Sequence, residues 1–274
     1  MATEQKEEVL LQSDCNGVRT LTFNRPAKLN GWSPDLVQAF QEGLEQAAKD
    51  DTVKACILTG AGKYYCAGVD FAGSLKPMHP RDLLAAITEQ NEALFAPFID
   101  FPKPLFIAAN GPAIGASVTS AFIADGIVAA ESASFLTPFK SLGLVPEGCS
   151  SYTFPQAFGE TTAREILEGR KLSAQDALEL GYCQYVVPQD QVLAKTQELA
   201  EEWIASGRTR KIIENGSQAK LREVNKVESV ALANAMLGLP FLNHMVNFSY
   251  EKSKYGPFLV FWLARTTRPL WSRL

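Results

Sequence analysis

Apolar and polar positions along the chain switch between two periods. Residues 9–15 and 18–24 alternate around Asn16-Gly17, and Asn-Gly between alternating segments predicts a hairpin. Arg25-Pro26 closes the second strand. Ser33-Pro34 supplies an N-cap and a proline for the first helical position. Leu36, Val37, Phe40, Leu44 and Ala47 then recur on one face, so a helix is expected to about Lys49. Lys54 to Thr59 is a short apolar strand broken by Gly60 and Gly62. A second helix is expected over about 81–98, a buried strand over Leu105 to Ala109, a helix over about 117–124 and another apolar strand over 126–130. Strand, glycine turn and helix thus repeat at least twice, which predicts an α/β protein with helices packed over sheets.

From Ser150 onward the pattern is helical. Thr161-Thr162 is read as the cap of a helix through Arg170, and Ser173 as the cap of another through Leu180, closed by Gly181. Tyr182 to Val187 reads as a short strand and 190–206 as an amphipathic helix. Charged helical segments follow at about 209–223 and 226–237. A hydrophobic tail comes next, interrupted at Leu239-Pro240 and Gly256-Pro257. There is no repeat of fixed period and no long linker. The expected organisation is an α/β core over 1–205 and a helical region over 206–274, packed on that core or on a neighbour.

Composition narrows the function. Of 274 residues 46% are hydrophobic, enough for a sizeable core. Lys and Arg number 26 against 30 Asp and Glu, so no basic excess favours nucleic acid. Five cysteines, with no C-x-x-C pair, make a disulfide framework or a metal site unexpected. Only His79 and His244 could serve a Ser-His-Asp hydrolase, and neither stands beside a G-x-S-x-G elbow. The acidic start lacks the apolar segment of a secretory signal. The apolar run 257–264 is too short to span a bilayer. The basic cluster Arg208, Arg210 and Lys211 reads as a solvated face.

Candidate chemistry lies in three turns. In Cys66-Ala67-Gly68-Val69-Asp70 and Gly111-Pro112-Ala113-Ile114-Gly115-Ala116, glycine precedes a backbone N–H that local structure leaves free, at Val69 and at Ala116. Two such donors on one oxygen make an oxyanion hole. The third turn, Leu142-Gly143-Leu144-Val145-Pro146-Glu147-Gly148, carries a carboxylate. Its neighbours Phe139, Leu142, Leu144 and Val145 are candidates for an apolar surround that raises the pKa of Glu147. Asp70 reads as a turn cap more than a catalyst, His79 as a loop residue, and Cys66 and Cys149 as small buried hydrophobes.

Residues 62–71 and 110–116 resemble the two oxyanion-hole segments of the crotonase (enoyl-CoA hydratase/isomerase) superfamily, and 170–181 resembles its helix signature after the core. The resemblance runs over about 8–205. It implies the spiral ββα crotonase fold, an acyl-CoA thioester substrate, no cofactor beyond the CoA carried by the substrate, and a homotrimer or dimer of trimers formed through the C-terminal helices. The implied substrate-binding residues are Lys28, Ala67, Gly68, Val69, Asp70, Phe71 and Gly115, with Val69 and Ala116 as oxyanion donors. The two glutamates of the hydratase branch would fall at Thr119 and Phe139, so the chain departs from that branch. Glu147 and the residues after it are similar to the peroxisomal Δ3,Δ2-enoyl-CoA isomerases, where the matching glutamate is the sole base of a double-bond shift in fatty-acid β-oxidation. The ending Ser272-Arg273-Leu274 is a variant of a peroxisomal address, which implies an import-receptor partner and a peroxisomal location. Rival readings are a hydratase or thioester hydrolase with rearranged carboxylates, and a silent CoA-binding scaffold. Helix 81–98 is a candidate wall for the acyl tail, and the aromatic tail from Tyr255 could cover the acyl tunnel or a subunit contact.

Overall fold

Hairpin strands β1 (Leu10–Cys15) and β2 (Val18–Phe23) pair antiparallel around Asn16-Gly17, whose positive φ angles suit a tight turn. This is a computed structural model describing residues 8–69 and 78–271. Asp70, Phe71 and Ser272-Arg273-Leu274 lie outside the described residues. After β2 the chain forms helix α1 (Pro34–Lys49), with Ser33 Oγ accepting from Leu36 N. Strand β3 (Ala55–Gly60), helix α2 (Pro80–Asp100) and strand β4 (Leu105–Ala109) follow. Next come β5 (Ala113–Ile114), α3 (Ala116–Ala121), β6 (Gly126–Ala130) and β7 (Ser134–Leu136).

Strands β3, β4 and β6 are buried at every position. That is the pattern of parallel strands covered on both faces. They form the middle of a six-stranded sheet of order β1-β2-β3-β4-β6-β9, where β9 is Tyr185–Val187. A second, three-stranded sheet joins β5, β7 and β8 (Leu172–Ser173). Only the short turn Asn110-Gly111-Pro112 separates β4 from β5, so the chain leaves the large sheet and enters the small one at that turn. The α3 helix starts just after this crossing.

The second half is helical: α4 (Phe139–Leu142), α5 (Ser150–Phe158), α6 (Glu160–Leu167), α7 (Ala174–Glu179), α8 (Val192–Ala205), α9 (Lys211–Glu214), α10 (Gln218–Met236), α11 (Leu239–Glu251) and α12 (Tyr255–Trp271). Several expectations are corrected. Helix α6 is entered from Gly159, not capped by Thr161-Thr162, and it ends at Leu167. Tyr182 precedes β9 and is a core side chain whose hydroxyl donates to Val118 O. The two charged segments expected around 209–237 become a one-turn helix and the 19-residue α10. Arg210 is not on a solvated face. It is wholly buried and paired with Asp125, because Asp125 and the carbonyls of Phe98, Phe101 and Ile123 supply acceptors for its guanidinium. Among the described residues no single helix is long and apolar enough to cross a membrane.

Candidate active site

The two glycine turns are brought together by short parallel pairings. Cys66 N donates to Pro112 O (3.4 Å) and Ile114 N to Cys66 O (3.1 Å). Trp32 N donates to Gly68 O (2.8 Å), in an isolated bridge between Trp32 and Val69. Gly68 has φ +80°, and a Cβ there would lie 2.5 Å from Ile114 O, so only glycine allows this approach. Gly115 N donates to Leu136 O, and α3 begins at the next residue. Among the described residues, neither the Val69 nor the Ala116 N–H donates to a backbone acceptor. Among the described residues, and apart from its chain neighbours, nothing lies within 4 Å of the position a Cβ on Gly115 would take.

Two asparagines hold the first turn. Asn30, fully buried, accepts from Arg25 N and donates to Ala61 O and Tyr64 O. Asn110 accepts from Gly60 N and donates to Gly62 O. Their amides satisfy loop carbonyls and the last N–H of β3.

Glu147 lies in the turn between α4 and α5 and is 4% exposed. Its carbonyl accepts from the Ser150 hydroxyl at 2.7 Å. The following Gly148 has φ +65°, and a Cβ there would meet Thr119 Oγ1 at 2.5 Å and Phe95 Cε1 at 2.6 Å. The turn is therefore pressed against α3 and α2 at the one residue able to accept it. The Glu147 carboxylate receives one hydrogen bond, from Asn91 Nδ2 on α2 at 2.6 Å. Ser229 Oγ donates to Asn91 Oδ1 at 2.9 Å, which turns the amide nitrogen towards Glu147. Among the described residues no second donor reaches the carboxylate. Burial pushes its pKa up to about 7, opposed by the Asn91 hydrogen bond and assisted by the negative charge of Glu228.

Glu147 and Val69 line one cavity of about 540 Å³. Its wall is mainly apolar, with Leu83, Ile87 and Leu94 from α2, Leu144 from the turn that carries Glu147, and Leu232 and Met236 from α10. Glu147 is the one ionisable residue among its described lining residues. The expected wall from helix 81–98 is present. Of the expected apolar surround, Leu144 lines the cavity, whereas Phe139, Leu142 and Val145 pack into a hydrophobic cluster with Leu232, Met236 and Phe241. Among the described residues no α12 side chain lines it; α12 packs on α11, with Phe261 against Phe241 and Arg268 Nε donating to Leu237 O.

The other expected residues divide. Ala67, Gly68, Gly115 and Ala116 belong to the joined turns, with Ala116 buried. Lys28 is exposed at the end of a one-turn 3-10 helix and is not part of the cavity wall. Asp70 and Phe71 fall outside the described residues. His79 is the N-cap of α2, its Nδ1 accepting from Arg81 N. Cys66 is buried, its thiol pushed up to about 11, and burial also raises Cys149. Asn91, Asn30 and Asn110 are residues the pattern did not single out. A polar residue among the apolar positions of the inner face of α2 was the available signal for Asn91.

Among the described residues, Glu147 shares a mainly apolar cavity wall with Val69, while Ala116 belongs to the joined turn and does not line the cavity. A buried carboxylate near a backbone N–H without a backbone acceptor can move a proton on a carbon acidified by a carbonyl. The chain belongs to the enoyl-CoA hydratase/isomerase family, whose model matches residues 13–250. It is 35% identical to enoyl-CoA delta isomerase 2 of Rattus norvegicus over 91% of this chain. That match spans 66% of the relative, just under two thirds of its length. It is 31% identical to enoyl-CoA delta isomerase 3, peroxisomal, of Mus musculus, over 91% of this chain and 80% of that one. The crystal structure of an enoyl-CoA hydratase/isomerase from Pseudoalteromonas atlantica T6c superposes with a TM-score of 0.73 at 29% identity, covering 90% of this chain and 98% of that one. The crotonase-type fold is thereby established.

Proposed function

We propose that the protein shifts the double bond of a 3-enoyl-CoA into conjugation, giving the 2-trans-enoyl-CoA, with Glu147 as its single base. The observation that carries this reading is Glu147 as the one ionisable group among the described residues of the cavity wall. Glu147 takes a proton from C2, which the thioester acidifies. The N–H groups of Val69 and Ala116 hold the oxygen of the resulting dienolate. The protonated Glu147 then returns the proton at C4. Nothing is oxidised or reduced overall, and no cofactor is consumed. A carboxyl near pKa 7 suits both halves, because it is available as base and as acid at neutral pH.

Hydration needs a positioned water and a second acid–base group. Thr119 and Phe139 stand where the resemblance puts the hydratase carboxylates. Thr119 spends its hydroxyl on Ala116 O and Phe139 is buried in an apolar cluster. The isomerase names of the relatives support the same choice. The test is a parallel assay of the purified protein on 3-hexenoyl-CoA and crotonyl-CoA. Faster conversion of the first to the conjugated thioester is expected, and faster water addition to the second would overturn the reading.

Assembly and location follow as further parts of this proposal. The region 206–274 is the assembly surface of a homotrimer. Leu259, Trp262 and Leu263 of α12 are exposed in the single chain, and such a face favours burial against another copy. Light scattering of the purified protein checks this. Peroxisomal import through Ser272-Arg273-Leu274 is supported by the peroxisomal name of one relative. Redirection of the protein when those residues are masked checks it.

A further inference from the structure

A second buried carboxylate stands behind the base and does not face the cavity. Glu228, on α10, is 4% exposed. Its Oε2 accepts from Cys149 N at 2.6 Å and its Oε1 from Ser151 N at 2.8 Å. These donors follow directly on Glu147 and Gly148. Helix α5 lacks a side-chain cap of its own, since its N-cap residue is Cys149, held in the left-handed region at φ 63°. Two consecutive left-handed residues, Gly148 and Cys149, are costly for a turn to maintain unless the surroundings fix them. Glu228 fixes them from another part of the chain and places its charge at the N-terminus of a nine-residue helix, where an anion is favoured.

The same face of α10 carries further groups. Asn225 Nδ2 donates to Glu92 O, Ser229 orients Asn91, and Leu232 and Met236 close the cavity. Their spacing of three and four residues puts them in one row on the helix. α10 therefore holds the base's turn with one residue and the base's hydrogen-bond partner with the next.

We propose that Glu228 is a positioning residue for the base, clamping the backbone of Cys149 and Ser151 and keeping a fixed negative charge behind the Glu147 carboxyl. The groups around Glu147 that could titrate or carry charge are few. Among the described residues, the cavity wall has none besides Glu147, α2 offers the neutral Asn91, α5 is entered at the buried Cys149, and α10 brings Glu228. Burial raises the Cys149 thiol, so it stays neutral in the working range. Burial raises the Glu228 carboxyl above its ordinary value, and the Ser151 and Cys149 donors offset only part of that rise. Both Glu228 oxygens accept N–H groups, an arrangement that an ionised, acceptor-only carboxylate fills. Its charge then opposes ionisation of Glu147.

This inference rests on Glu147 being the base, and a titration that needs no turnover separates the two. Protein labelled with 13C at the glutamate carboxyl gives a Glu147 resonance, identified by its loss in Glu147→Gln. Its midpoint is followed in the native protein, in Glu228→Gln and in Glu228→Asp. The native midpoint is expected at about 7. In Glu228→Gln it is expected to fall by roughly half a pH unit or more, because the like charge is gone. Glu228→Asp keeps the charge but draws it back from the two N–H groups. There the midpoint is expected to stay near the native one while kcat falls. A folded Glu228→Gln with the native midpoint overturns the proposal. If that variant does not fold, Glu228→Asp with native midpoint and native kcat overturns it as well. Native turnover by Glu147→Gln would instead sink the reading of Glu147 as base and leave this titration unaffected.

Discussion

Asp125 and Glu147 are both buried carboxylates, and the protein treats them in opposite ways. Asp125 receives Leu105 N at 2.8 Å, Lys211 N at 2.7 Å and Arg210 Nε at 3.0 Å. The guanidinium of Arg210 is in turn satisfied by three backbone carbonyls. This cluster ties β4, the loop after α3 and the entry to α9 into one unit. Every guanidinium nitrogen and both Asp125 oxygens have a protein partner, and none of the cluster's residues lines the cavity. Among the described residues Glu147 receives a single side-chain hydrogen bond, and it lines a mainly apolar cavity. A carboxylate saturated with donors ties elements of the fold together. An undersupplied one is left with its proton affinity raised, which is a condition for proton transfer.

The largest effect expected from this contrast is on stability. Asp125→Ala strands the Arg210 charge in the interior and should cost roughly 3–5 kcal/mol. Denaturant unfolding measures this, and a loss below about 1 kcal/mol would mean the cluster relaxes easily. Gly68→Ala comes next. Its Cβ would press on Ile114 O and part the two turns, so kcat/KM should fall by an amount approaching the roughly 2.7–4 kcal/mol of one lost oxyanion donor. Unfolding of that variant, measured alongside, separates lost catalysis from lost fold.

Glu147 itself should show the reverse of Asp125. Its folded pKa is raised, so its stabilising contribution is complete below the ordinary carboxylate value of 4.5 and is lost as pH rises through about 7. Glu147→Gln should therefore match the native stability near pH 4.5 and exceed it at pH 8 by roughly 2–3 kcal/mol. Equal stabilities at both pH values would remove the contrast with Asp125. The smallest effect concerns Asn91, whose hydrogen bond favours the charged form of Glu147. Asn91→Leu should move the acid limb of the kcat/KM profile upward from about 7, by roughly one pH unit or less. A downward movement would mean that the amide favours the protonated base.

Much of the fold was legible because its signals are local. Asn16-Gly17 marked a hairpin, Ser33-Pro34 a helix start, and the apolar runs at 105–109 and 126–130 the central strands. The turns carrying Val69, Ala116 and Glu147 were legible for the same reason, since glycine directly precedes Val69 and Ala116 and brackets Glu147. What escaped was set by partners distant in sequence. Arg210 reads as solvated until Asp125, 85 positions away, is placed beside it. Asn91 lies on a helix whose role is fixed by Glu147, 56 positions later. Thr161-Thr162 has the chemistry of a cap, but the preceding Gly159, with φ +77°, already turns the chain into α6. Periodicity carries no information about such pairings.

The central claim is that Glu147 alone moves the proton. It is tested by following conversion of 3-hexenoyl-CoA to the conjugated thioester with native protein and Glu147→Gln, while calorimetry records binding of a saturated acyl-CoA to both. The variant is expected to bind the ester with near-native affinity and to lose roughly 10²–10⁴-fold in turnover. Isomerisation by Glu147→Gln at the native rate would contradict the account.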